Sequence, residues 1–262
     1  MTINTFDRSS LRLSAMLLLV GQLLYVVVTV LHTGGEANHH SAIFAAYAAS
    51  AIWTAVHVAQ FVCMAIMLAG LFALFSALDV QAGTATLVGR LGAASTTATL
   101  ALYGIVLAVD GVALKQAVDA WANAPEAEKA ARFAAAEAMR WLEWGARSYE
   151  NFTLGLAMLF AAAVVRTVLI PRPMAYLIGL SGFTYLVQGW LAGAEGFSQT
   201  HTIAIVLAEV LNAAWMTWLV VVAWRTPESK LSPMRALVTS THPGDPLRKR
   251  GPRSTFKSLT VE

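Results

Sequence analysis

Long apolar runs without charge dominate the chain. No Asp, Glu, Lys or Arg occurs between Glu36 and Asp79, and a bilayer core about 30 Å thick needs roughly 20 apolar residues of helix to cross it. Six segments meet that need, at residues 13–31, 51–78, 91–109, 147–170, 174–194 and 202–224. The expectation is an all-α integral membrane bundle of six transmembrane helices forming a single domain over residues 1–224. The first span is too long for a removed signal peptide and lacks a small-residue cleavage site. Residues 123–144 read as an additional interfacial helix on the outer side. Asn123 with Glu126 has the form of a capping box, and Glu128 with Arg132 and Glu143 with Arg147 are i,i+4 pairs. Phe133, Met139, Trp141 and Trp144 suit the headgroup level.

Within the apolar runs the polar residues fall on single helix faces. Gln22, Tyr25, Thr29 and His32 share one face of the first span, and Trp53, His57, Gln60 and Met64 share one of the second. Thr96, Thr99, Tyr103 and Asp110 continue the pattern in the third, and Glu143, Arg147 and Glu150 run beside Asn151 into the fourth. The fifth carries Ser181, Tyr185, Gln188 and Glu195; the sixth carries Thr202, Glu209, Asn212 and Met216. Turning these stripes toward one another leaves the fewest polar atoms in lipid. Gln22, Thr29, Gln60, Thr96, Thr99 and Gln188 read most simply as interhelical hydrogen-bonding residues, at about 0.6 kcal/mol each. His57 and Glu209 are ionisable at a depth that demands a partner. The histidines and the deepest acids gather toward one side, which implies a polar pocket open outward and closed inward.

Composition supports the membrane class. Charged residues make up 13% of the 262 and hydrophobic ones 57%, against about 25% charged in a soluble domain. The net charge of +3 reflects orientation. Thirteen basic residues fall on the side of the two termini, among them Arg8, Arg12, Arg90, Arg166 and Arg172, and five on the other: Lys115, Lys129, Arg132, Arg140 and Arg147. By the positive-inside rule both termini are expected to be cytoplasmic. Residues 225–262 hold five of the eight prolines, with eight basic and three acidic residues. They read as a basic, Pro-rich, disordered cytoplasmic tail that can contact anionic lipid.

No nucleotide, nucleic-acid or nucleophile motif is present, and the lone Cys63 makes no internal disulfide. Candidate ligand-binding residues are His32, His57, Glu150, Glu195, His201 and Glu209. A metal set of His32, Glu36, His39, His40, His57 and His201 would supply N and O donors at about 2.0–2.2 Å to zinc or another divalent ion, although no HExxH or HxxxH occurs. Haem held by His57 with His32 or His201 is the weaker cofactor candidate. The leading expectation is an outward-open pocket for a small-molecule or lipid ligand. The alternatives are a metal-assisted enzyme at the outer leaflet and an accessory subunit whose polar stripes only join helices. The run His32-Thr33-Gly34-Gly35-Glu36 through His39-His40, with Phe44 to Ala48 and Trp53 to His57, resembles a pattern in bacterial multi-pass membrane proteins of unassigned activity. Over about the first third of the chain, that resemblance implies a six-helix inner-membrane protein and no particular reaction. Gly89 to Gly92 and Ala161 to Ala163 permit close helix contact but leave the oligomeric state open.

Overall fold

In the computed structural model the described residues are 8–78, 84–167 and 170–225. The chain divides into two units, Met1–Thr226 and Pro227–Glu262. Apart from Arg225, the expected tail lies outside the described residues. Eight α-helices account for nearly all of the first unit: α1 (Arg8–Val30), α2 (His40–Ala49), α3 (Trp53–Ala77), α4 (Thr84–Ala108), α5 (Lys115–Ala122), α6 (Glu126–Val165), α7 (Arg172–Glu195) and α8 (Gln199–Arg225). A π-helical turn, Val109–Leu114, joins α4 to α5 without a break. No strand occurs among the described residues.

The helix ends follow local chemistry. Pro125, extended at φ −60° and ψ 154°, sits ahead of α6, and Glu126 and Glu128 lie in its first turn, where carboxylates complement the helix dipole. Proline likewise opens α7, and Gly196 closes it at φ +68°, a left-handed conformation that favours glycine. The expected capping box is replaced: Asn123 donates its side-chain N–H to the Asp119 carbonyl at 2.8 Å, closing α5 instead of starting α6.

Five stretches are long and apolar enough to cross a membrane: Arg8–Val30, Trp53–Ala77, Thr84–Ala122, Glu126–Val165 and Gln199–Arg225. Helix α7 is less apolar, because Ser181, Thr184, Tyr185 and Gln188 line its buried face and glycines recur along it. Two of the five greatly exceed a bilayer. At 1.5 Å per residue, the 39 residues of Thr84–Ala122 and the 40 of α6 each run to about 60 Å. The separate interfacial helix at 123–144 is therefore corrected: residues 126–144 form the first half of α6, which continues to Val165 with no proline to interrupt it. Phe133 and Met139 pack with α2 and α5 around Phe44, Leu114 and Val118. This small second core caps one end of the bundle.

Packing closes a ring, in which α1 meets α3, α3 meets α4, α4 meets α6, α6 meets α7, α7 meets α8 and α8 returns to α1. Leu18, Leu71, Met158 and Trp215 fill one end of its interior, while Val27, Ile203 and Val210 stay exposed on the outside, as lipid-facing side chains should. At that filled end Arg12 lies 5.3 Å from the Trp224 ring, and Arg166 lies 5.8 Å from that of Tyr176. Helices α6 and α7 cross closely, as α1 and α3 do at Gly21 and Gly70. A Cβ on Gly155 would come 2.8 Å from the Gly182 carbonyl, and one on Gly182 would come 2.9 Å from the Gly155 carbonyl. Small residues at such crossings let helix backbones approach.

Gly155→Val should therefore force α6 and α7 apart and lower stability by about 1–3 kcal/mol, read as a fall in Tm of several degrees in detergent. Gly179→Ala, whose Cβ would meet Ala162 at an ordinary 3.5 Å, should leave Tm unchanged. Equal Tm values for the two variants would contradict this packing.

Candidate functional site

Between the filled interior and the cap, the ring encloses a cavity of about 480 Å³. The end of α1 and its following loop contribute Tyr25, His32 and Gly35 to the wall, α3 contributes Gln60 and Met64, and the π-helical turn contributes Asp110. Helix α6 supplies Arg140, Glu143, Arg147, Glu150 and Asn151, α7 supplies Tyr185 and Gln188, and α8 supplies His201 and Glu209. Helices α1, α3, α6, α7 and α8 and the π-helical turn thus each turn polar residues inward.

The spacing of Arg140, Glu143, Arg147 and Glu150 is 3, 4 and 3, so alternating charges ride one face of α6. Arg140 donates from Nη1 to Glu143 Oε2 at 2.6 Å and from Nη2 to the Tyr47 hydroxyl at 3.0 Å. Its guanidinium also covers the Phe197 ring at 4.8 Å, so this one side chain ties together α6, α2 and the α7–α8 connection. Burial raises the Tyr47 pKa, and the adjacent Arg140 opposes the rise. Arg147 approaches Glu150 at 3.6 Å and stacks over Tyr103 at 5.2 Å. The expected Glu143–Arg147 pair is therefore replaced by Arg140–Glu143 and Arg147–Glu150. The Glu128–Arg132 pair forms at 3.0 Å.

At one end of the cavity a second cluster forms. The π-helical turn widens the helix and presents Asp110 to His57, whose Nε2 lies 2.9 Å from Asp110 Oδ2. His57 Nδ1 lies 2.7 Å from the Trp53 carbonyl, and Trp53 donates its indole N–H to the Asp110 carbonyl at 3.1 Å. Close approach depends on Gly111, where a Cβ would stand 2.7 Å from that of His57. The His32 ring completes the group, 5.0 Å from both His57 and Trp53. Burial lowers the His32 pKa, and the Asp110 carboxylate opposes that shift.

Of the residues expected to bind ligand, His32, Glu150, His201 and Glu209 line the cavity, and His57 stands directly behind His32 and Asp110. Glu209 accepts a hydrogen bond from Gln22. Glu195 lies outside the cavity, exposed, with Oε2 accepting from the Ser198 hydroxyl at 2.9 Å. The expected metal set is rearranged. Glu36 and His39 are exposed on the loop, and His40 turns to Glu137 at 2.8 Å. His201 lines the cavity without joining the cluster of potential metal ligands, which comprises His32, His57 and Asp110. A haem held by both His32 and His57 would need the two imidazoles on opposite sides of one iron, whereas their rings meet edge to face at 63° with centroids 5.0 Å apart.

Asp110, Arg140, Glu143 and Arg147 complete the site and were absent from the candidate residues. Three of them belong to the polar stripes, and the signal that places the fourth is the 3-4-3 spacing that continues back from Glu143 to Arg140. Other stripe residues join helices: Gln60 donates to Thr29 at 3.2 Å, Thr99 to Thr153 at 3.1 Å, and Gln188 to the Ala204 carbonyl at 3.2 Å. Thr96 instead bonds its own helix, at the Gly92 carbonyl. Comparison of the chain with protein-family models, curated proteins and solved structures finds no match.

Arg140 and Glu143 are each 2% exposed or less, so removing one partner strands a buried charge. Arg140→Met should cost about 3–5 kcal/mol in a detergent unfolding titration, and adding Glu143→Leu should recover part of that loss. Asp119→Asn breaks a far more exposed pair with Lys115 and should cost about 0–1 kcal/mol. A loss for Arg140→Met no larger than that for Asp119→Asn would show that the pair does not hold the cap.

Proposed function

We propose that this chain is a bacterial inner-membrane protein that crosses the bilayer six times, with both termini cytoplasmic. In this reading α7 also crosses, as the fifth span in chain order. The α5–α6 arm and α2 project on the outer side, and the basic tail lies against anionic lipid within the cytoplasm. The cavity opens outward and binds a small polar ligand. The topology draws support from the ring of six long helices and from thirteen basic residues on the terminal side against five on the other. Arg8, Arg12, Arg166 and Arg225 all stand at the end of the ring away from the cavity.

One observation carries the binding reading. Glu150 is 1% exposed and lines the cavity, and beyond the long ion pair with Arg147 at 3.6 Å neither of its carboxylate oxygens has a hydrogen-bond partner. Leaving a buried acceptor unmade costs about 1–3 kcal/mol, and more when it is charged. An interior built only to hold helices together would satisfy that carboxylate, as it satisfies Gln60 and Gln188. His201 Nε2 and Arg140 Nε are buried in the same wall and also lack partners. The ligand class that fits carries a hydrogen-bond donor, an amine or a hydroxyl, for Glu150. Its small apolar body would rest against Met64, Leu154 and Ile205.

Native mass spectrometry of protein released from native-lipid nanodiscs tests the binding reading. A discrete small molecule on the wild type, absent from a folded Glu150→Gln variant, is the expected result. Lipid adducts alone on both proteins would leave only an accessory role for the stripes. Topology has its own test in a Cys63→Ala background. Thr200→Cys should react with an impermeant maleimide on intact cells and Ser9→Cys only after permeabilisation; the opposite pattern would invert the orientation.

A further inference from the structure

The geometry points to a divalent transition-metal site formed by His32, His57 and Asp110 where the π-helical turn meets the cavity. It uses different residues from the Glu150 wall, and it stands or falls independently of any organic ligand.

Proton bookkeeping carries the argument. A backbone carbonyl only accepts, so His57 Nδ1, 2.7 Å from the Trp53 carbonyl, holds a proton. His32 Nδ1, 3.0 Å from the Thr33 carbonyl, does the same. In both neutral rings the lone pair is then on Nε2. Metal-binding histidines are fixed in this way, with the far ring N–H donated to a carbonyl or carboxylate. The His57 Nε2 lone pair faces Asp110 Oδ2 at 2.9 Å, and two acceptors at that separation need a cation between them. The spacing is a hydrogen-bond length, somewhat shorter than the about 3.4 Å between tetrahedral ligands at about 2.1 Å, so an ion entering would part the two groups slightly.

A proton on His57 would also fill that gap, as a buried ion pair; a second observation adds a reason for a metal. Asp110 is 5% exposed, and its other oxygen, Oδ1, is buried with no hydrogen-bond partner. A carboxylate whose work ended at one imidazolium leaves that oxygen stranded, whereas an ion held by both carboxylate oxygens would engage it. His32 brings a third donor, and one ligand atom from each of the three residues lies within 4.8 Å of the others. Two imidazoles and one carboxylate suit zinc or iron(II) and leave coordination positions open. Because His32 and Asp110 both line the cavity, those open positions face it.

The direct test is cobalt(II) chloride titrated into the full-length, untagged protein after chelator treatment. One saturable equivalent with a visible d–d band is expected. His32→Gln and Asp110→Asn, checked as folded by circular dichroism, should each weaken binding at least tenfold, while His39→Gln, at an exposed loop position, should bind as the wild type does. X-ray absorption on the cobalt-loaded wild type needs no variant and should resolve two imidazole ligands. Absence of a saturable band in folded wild-type protein would overturn the site, as would fewer than two imidazoles or an equal loss in His39→Gln. The Glu150 reading depends instead on the organic molecule retained in native mass spectrometry, so either can fail alone.

Discussion

Everything in this fold is arranged around charges that a bilayer does not tolerate unpaired. Helix α6 carries Arg140, Glu143, Arg147 and Glu150 into the bundle on one face, and ionised side chains at such depth must face the interior and find partners. The ladder meets that demand through pairs along the helix, and it reaches across the ring to Tyr47, Phe197 and Tyr103. The remaining helices then have to turn their own polar stripes toward α6. A cavity results because the charged side chains keep the helices from closing as tightly as Gly155 and Gly182 allow further along the same helix.

The cluster at His57 follows from a second local constraint. A regular α-helix through Val109 to Leu114 would hold its 3.6-residue pitch; the π-helical turn adds a residue to the turn and shifts everything after it around the axis. Asp110 is thereby brought against His57, and Gly111 lets the α3 side chain come within contact of the backbone. Trp53 fastens the arrangement from both sides, accepting from the His57 ring at its carbonyl and donating its indole N–H to the Asp110 carbonyl. Backbone geometry, close packing and imidazole chemistry thus converge at one end of the cavity.

Much of the architecture is legible in the sequence, since the forces that specify it are local and periodic. Charge-free runs mark the apolar helices, and 3-4 spacing marks the faces that turn inward, including those of Gln22, His57, Glu150 and Glu209. Harder to read is whatever depends on continuity or on contact between distant helices. Arg147 and Glu150 look like the charged start of a span, so the helix before them reads as a separate element. They are in fact buried midway along an unbroken α6. Asp110 closes the third stripe but lies past the point where a 3.6-residue period can be extrapolated, because the π-helical turn resets it. His39 and His40 look like ligands by residue type, yet the start of α2 directs them away from the cavity. Glu195 falls on the right face of α7 but just beyond its buried length.

The central claim is that the charged face of α6 looks into a hydrophilic cavity rather than into a dry core or into lipid. Cysteine accessibility in membranes tests it most directly, in a Cys63→Ala background. Asn151→Cys, on the cavity wall, should react readily with a small water-soluble methanethiosulfonate. Leu156→Cys, on the outer face of the same helix, should resist it. An unreactive Asn151→Cys in folded protein, or a Leu156→Cys that reacts faster, would contradict the account.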